Sequence, residues 1–282
     1  MVMRASLLYK NLLREKYILI PIIIFSPILL AAIFADYIAP YPPLKTGVGP
    51  SLTEPTSAHI MGTDQAGGDI FSQVVYGART SLYVAFVSTT LAVAIGLAVG
   101  VPSGYFNRRV DEVLMRIVDV VLSIPSFILI IFLIVLFGSN ILTLTIVIGL
   151  VGWPTLARIV RAQILSVRER EFVLAIRALG ASPLRIMFNE ILPNVILPLI
   201  PAIMLQLGYA VLVESGVSFL GLGDQNIMSW GRVLWMASRS IYVGAWWGLI
   251  FPGMAILITI ISLNLLGDGI SKIINPKTAK RG

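Results

Sequence analysis

The stretch that decides the architecture is WWGLIFPGMAILITIISLNLL, residues 246–266. It holds no charged residue, and a helix of roughly 20 such residues spans a hydrocarbon core of about 30 Å. Working outward, five more apolar runs of that kind occur at residues 18–35, 82–101, 117–137, 142–156 and 196–213. A tight turn, Gly138-Ser139-Asn140-Ile141, separates the third from the fourth, and Gly152, Trp153 and Pro154 interrupt the fourth. Composition agrees with the pattern. The 282 residues are 57% hydrophobic and only 12% charged, against roughly 45–50% and about 25% in soluble domains. The expectation is an all-α integral membrane protein with six transmembrane helices.

Charge placement orients it. Of the 21 Lys and Arg, all but Lys45, Arg79, Arg232 and Arg239 fall on one side: before the first run, between the second and third, between the fourth and fifth, and after the sixth. The side rich in Lys and Arg is cytoplasmic by the positive-inside rule, which places both termini and the 158–194 loop there. The first run reads as a retained span rather than a cleaved signal, because removing it leaves an odd number of spans and spoils the charge sorting. The net charge of +7 follows from this sorting without nucleic acid as a partner.

Several chemistries are excluded. Cysteine is absent and His59 is the single histidine, so thiolate sites, histidine clusters and a Ser–His–Asp triad cannot be built. No phosphate-cradling G-x-x-x-x-G-K-[ST] occurs, so ATP and magnesium are not bound by this chain. Gly221-Leu222-Gly223 lacks the third glycine of a dinucleotide fingerprint, and Asp64 and Asp69 lack calcium-loop spacing. No catalytic or metal residue is assigned. Within the spans, Asp119 is placed to pair with Arg116 three residues earlier, and Glu214 and Asp268 are read at span ends near water. Gln206, Ser215 and Asn264 read as interhelical bonds, with a place on a solute pathway as the alternative for Asp119, Gln206 and Asn264. Trp230, Trp235, Trp246 and Trp247 read as an interfacial aromatic belt.

The 158–194 loop is patterned. Ser166-Val-Arg-Glu169 fits a capping box. Phe172, Ala175, Ile176 and Leu179 then recur at helical spacing. Gly180 supplies a helix stop, Ser182-Pro183 a restart, and Pro193 an end before the fifth span. The reading is helix, glycine break, helix, with an apolar stripe that either lies against the chain's own span ends or docks into a partner's groove.

Glu171-Phe172-Val-Leu-Ala175-Ile176-Arg177-Ala178-Leu-Gly180-Ala181-Ser182, followed by Ile191-Leu192-Pro193-Asn194, resembles the EAA loop of binding-protein-dependent ABC import permeases. Further segments resemble the dipeptide/oligopeptide branch, in its C-type permease chain. These are His59-Ile-Met-Gly62-Thr63-Asp64-Gln-Ala-Gly67-Gly68-Asp69 with Gly77-Ala-Arg79, Met115 to Pro125, Phe219 to Gly223, and Asn264-Leu-Leu-Gly267-Asp268 with Asn275-Pro276. Ile176 stands where the EAA triplet has alanine, Glu190 where an apolar residue or histidine is usual, and Gly68 where arginine is frequent.

What the resemblance implies is a type I ABC importer permease fold: residues 1–35 as N-terminus and first helix, 36–80 as external loop, 81–268 as the type-1 permease domain and 269–282 as tail. It implies a cell-membrane transport subunit, not an enzyme. Its partners are a second homologous permease chain, two ATPases holding ATP and Mg, and an external solute-binding protein. The solute is a di- or oligopeptide, with oligosaccharide or nickel as alternatives on the same scaffold. The loop from Glu171 to Gly180 would be the coupling helix.

Overall fold

A computed structural model of the chain describes residues 16–274. Arg4, Lys10, Arg14, Lys277, Lys280 and Arg281 of the charge count, and the Asn275-Pro276 pair, lie outside the described residues. The elements are α1 (Lys16–Ile33), α2 (Ile70–Tyr105), α3 (Arg108–Leu122), α4 (Ser126–Phe137), α5 (Ile141–Arg168), α6 (Glu171–Ala178), α7 (Pro183–Phe219), α8 (Trp230–Ser238) and α9 (Trp247–Ile274).

Helices α1, α2, α5, α7 and α9 are each long and apolar enough to cross a membrane. Helices α3 and α4 make a sixth span only when taken together, and they meet at an angle of 78°, which corrects the reading of residues 117–137 as one continuous helix. Pro125 is the cause, since it offers no amide hydrogen and its ring obstructs the preceding turn. The Ser123 amide closes α3 on the Asp119 carbonyl at 3.0 Å, and α4 starts afresh with Leu129 bonded to the Pro125 carbonyl.

Other prolines are absorbed. α5 runs through Pro154 to Arg168, because tertiary packing holds it. Gly96, Gly100 and Gly104 of α2 form a flat ridge against Leu156, Ala157, Val160, Arg161 and Ile164 of α5. A Cβ on Gly100 would come within 2.6 Å of the Ala157 carbonyl oxygen, so only glycine permits this approach. The capping box at Ser166–Glu169 is corrected for the same reason: these residues are the end of α5, where Ile164 and Val167 are buried. Pro193 likewise does not end a helix. A π-helical turn, Ile186–Ile191, shifts the bonding so that the Leu192 amide reaches the Met187 carbonyl, and α7 continues to Phe219. Such wide turns accommodate a residue that cannot join the regular ladder.

Candidate functional site

Three groups of sequence-selected residues come together in the fold, at one end, at the other, and between. At the Lys/Arg-rich end, α6 is a short helix with Glu171 in its first turn and Arg177 in its last, charges of the sign that suits each end of the helix dipole. One side is anchored. Val173 is fully buried and packs with Ile164, Val167, Ile186, Met187, Ile191 and Val195. Ile176 and Ala181 lean on the same cluster, and Arg177 stacks over the Tyr105 ring at the end of α2. The opposite side is bare: Phe172, Ala175, Ala178 and Leu179 are exposed, Leu179 by 87%. The stripe therefore divides. Ile176 turns inward, while Phe172, Ala175 and Leu179 face away from the chain.

Gly180 ends α6 at φ +82°. Its amide bonds the Arg177 carbonyl at 3.0 Å, and the Ala181 amide bonds that of Ile176 at 3.3 Å. This is a Schellman closure, with Ile176 and Ala181 supplying its hydrophobic contact. Ser182 then accepts from the Arg185 amide, with Pro183 at the first helical position. Pro193, by contrast, sits outside this unit within α7.

At the far end, residues 47–69 form a cap on α2, α8 and α9. Positive φ at Gly62 and Gly67 turns the chain. Thr63 is buried, its hydroxyl donating to the Pro50 carbonyl at 2.6 Å and accepting from the Thr53 amide at 2.8 Å. Asp64 accepts from the Ala66 and Gly68 amides and from Gln73. Asp69 caps α2 through the Ser72 amide and hydroxyl, and its other oxygen meets His59 Nδ1 at 2.9 Å. Gly68 lies so close to the Asp64 carboxylate that a Cβ would approach it within 2.7 Å, so the glycine suits the cap as built.

Two tryptophans are held inside the fold, Trp247 under the cap and Trp230 against α2, which corrects their reading as an interfacial belt. Trp247 is buried and donates to the Thr63 carbonyl at 3.0 Å, and Trp230 is buried and donates to the Val74 carbonyl at 2.9 Å. Gly77 permits the second contact, since a Cβ there would lie 2.8 Å from Trp230 Cδ1. Arg79 reaches back to the end of α1, bonding the Ala32 and Ile33 carbonyls and the Asp36 carboxylate. That guanidinium, with the Tyr76 hydroxyl behind it, holds the Asp36 carboxyl below its ordinary value.

Between the ends, three polar expectations change. Asp119 pairs with Arg158 of α5 at 2.6 Å, not with Arg116, while Asp111 takes a two-pronged bond from Arg161 and a third from Ser103. Glu214 is not near water. It is 1% exposed and accepts from Ser81 of α2 and Ser218 of α7, each at 2.8 Å, with Ser215 at 3.4 Å. Ser81 lies 133 residues away in sequence, so no local signal could reveal the partnership. Gln206, read as an interhelical bond, leaves its amide nitrogen beside Gly152 of α5 with no hydrogen-bond partner among the described residues, and Asn264 of α9 lies across from Gly208 of α7, 3.4 Å from where a Cβ on that glycine would be built.

Comparison with known proteins agrees with this geometry. The chain is 37% identical to a dipeptide transport system permease protein DppC of Alkalihalophilus pseudofirmus, over 95% of this chain and 88% of the relative. It is 33% identical to the DppC of Bacillus subtilis, over 98% of this chain and 88% of the relative. Its fold matches a chain of the inward-facing MetNI methionine ABC transporter at a TM-score of 0.61 and 22% identity, covering 73% of this chain and 98% of that one. The family model described as binding-protein-dependent transport system inner membrane component matches residues 92–280. Apolar spans, full-length relatives and family model converge, and the chain belongs to the inner membrane permease components of binding-protein-dependent transport systems.

Proposed function

We propose that this permease imports di- or oligopeptides, driven by ATPases that grip α6. The solute class follows from the relatives' names, which are dipeptide permeases over almost the whole chain. The observation that supports the coupling role is the two-sided character of α6: Val173 and Ile176 fasten it to the body, while Phe172 and Leu179 present an uncovered apolar face. Phe172, Ala175 and Leu179 form one contiguous exposed apolar face, the kind of surface that marks a protein–protein interaction site. The helix-in-groove mode accounts for it.

In this reading the Lys/Arg-rich end is cytoplasmic, with both termini there. A second, homologous permease chain completes the pathway, two ATPases each take one coupling helix, and a solute-binding protein delivers its ligand to the opposite end. ATP and Mg reside on the ATPases. Moving a two-state equilibrium from 1:99 to 99:1 takes about 5.5 kcal/mol of differential affinity. A helix whose inner side is packed can transmit that difference, whereas a loosely tethered loop would absorb it.

The test is uptake. Vesicles carrying this chain with its co-purifying subunits, supplied with the binding protein and ATP inside, should accumulate radiolabelled dipeptides. Accumulation that persists without ATP and collapses with a proton ionophore would refute the reading.

A further inference from the structure

Helices α1, α2, α7 and α9 enclose a groove of about 470 Å³. Ala32, Ala85 and Leu263 are its buried floor, and its rims, Ile33 of α1 with Tyr83 and Phe86 of α2, are each more than half exposed. Among the described residues, Arg79 is the one charged side chain in its wall. The lining runs from Arg79 to Phe86 along α2 and from Ile33 back to Phe25 along α1, a length of about 10–12 Å at 1.5 Å per residue. That is most of one leaflet of a hydrocarbon core about 30 Å thick. Averaged over its length the groove is about 40 Å² in section, roughly half that of a helix 10 Å across, so it suits flexible hydrocarbon chains better than another helix.

At the mouth stands the Arg79–Asp36 pair, 2.9 Å apart, with 41% of the first side chain and 61% of the second exposed. Four of the five guanidinium hydrogens are used: Nε bonds the Ala32 carbonyl, Nη2 the Ile33 carbonyl and Asp36, and Nη1 Asp36 again. One Nη1 hydrogen is left among the described residues. The Asp36 carboxylate takes those two bonds and a third from the Tyr76 hydroxyl at 2.9 Å, which leaves one of its roughly four lone-pair sites. The mouth therefore offers one charged donor and one charged acceptor side by side, with no net charge. A bare phosphate at Arg79 is repelled by Asp36, and a quaternary ammonium has no hydrogen to give Asp36. A phosphate carrying a primary ammonium satisfies both.

We propose that this groove binds a phospholipid with a primary-ammonium headgroup, its chains lying along α1 and α2, its phosphate on Arg79 and its ammonium on Asp36. The lipid completes the seam between α1 and α2 that Arg79 closes at the top. The site goes beyond the import reading. Only its assignment to the outer leaflet rests on that reading, which puts the Lys/Arg-rich end in the cytoplasm and Arg79 at the other end.

The test is lipid selection by the chain with its co-purifying subunits, exchanged in mild detergent against equal amounts of dioleoyl phosphatidylethanolamine, phosphatidylcholine and phosphatidylglycerol and read by native mass spectrometry. Charge-assisted bonds at both ends of the headgroup should favour the ethanolamine lipid at least about tenfold over either of the others. Asp36→Asn should bring the ratio to phosphatidylcholine toward one while lipid is still retained. Ile33→Trp, which fills the groove from its rim, should abolish selective retention, and Ile23→Trp, exposed on α1 outside the groove, should not. Equal retention of the three lipids by the unmodified complex, or a preference that survives both Asp36→Asn and Ile33→Trp, would overturn the inference. A photo-reactive side chain at Phe86, in membranes, should give an adduct with the mass of phosphatidylethanolamine. An adduct with another protein chain alone would also overturn it and identify the groove as a helix contact. Lipid retention needs no transport, so a failure of the import reading, seen as absent uptake, is distinguishable from a failure of this site.

Discussion

Replacing Gly180 tests whether the α6 break is the mechanical element of this permease. Gly180 holds φ +82° with nothing within 4 Å of where a Cβ would be built, so a side chain added there meets no neighbour and the effect falls on the backbone. Alanine in that left-handed region costs about 1–2 kcal/mol, a factor of roughly 5–30 in a two-state population. Asparagine tolerates the region better than most residues. Proline, locked near φ −65° and lacking the amide that bonds Arg177, costs about 3 kcal/mol or more, which is more than about 100-fold. The expected order of ATP-driven dipeptide uptake is therefore Gly, Asn, Ala, Pro. Gly244 provides the control. It has φ +87° and open space around it, but lies at the opposite end of the chain, so Gly244→Ala should carry a similar strain without loosening the ATPases. Uptake and ATPase retention by Gly180→Pro at the level of the unmodified chain would refute the reasoning.

Three further outcomes follow from the packing. Trp247→Phe removes the bond to the Thr63 carbonyl inside the cap and should cost about 1–3 kcal/mol, read as a fall of several degrees in the melting temperature of the purified complex, while Trp246→Phe, half exposed, should leave it unchanged. A double-mutant cycle on Asp111 and Arg161 should give a coupling of about 1–3 kcal/mol, against less than about 1 kcal/mol for the more exposed Asp119 and Arg158; equal couplings would contradict the burial difference. Because Arg79 depresses the folded-state pKa of Asp36 below its ordinary value of 3.8, the tether between α1 and α2 stabilises the fold above that value and is lost as pH falls through the depressed one. Acid-induced proteolysis near residues 34–38 should therefore begin only at strongly acidic pH and should lose that dependence in Asp36→Asn.

The spans and the helix, glycine break and restart around Gly180 were legible because both rest on local rules. A run such as 246–266 has only one stable solvent, and Gly180 followed by Ser182-Pro183 spells a stop and a start regardless of context. What was not legible depended on distant partners. Pro125 breaks its span and Pro154 does not, although both are proline in apolar sequence; the difference is the glycine ridge of α2 that clamps α5. Ser166 to Glu169 has the letters of a helix start, yet Arg168 donates to the Gly104 carbonyl and buried Ile164 and Val167 carry the helix past it. Trp230 and Trp247 carry the composition of a membrane belt but are buried, Trp230 against α2 and Trp247 under the cap, where their indole hydrogens find carbonyls from residues 74 and 63.

The measurement that bears most directly on the account is a crosslink from Leu179, the exposed leucine that caps the end of α6. A photo-reactive side chain placed there, in membranes containing the whole transport system, should join this chain to a subunit carrying a P-loop, and ATP should change the yield. A crosslink only to lipid or to the chain itself, in membranes that still take up dipeptide on ATP, would show that α6 is not the element through which the ATPase drives transport.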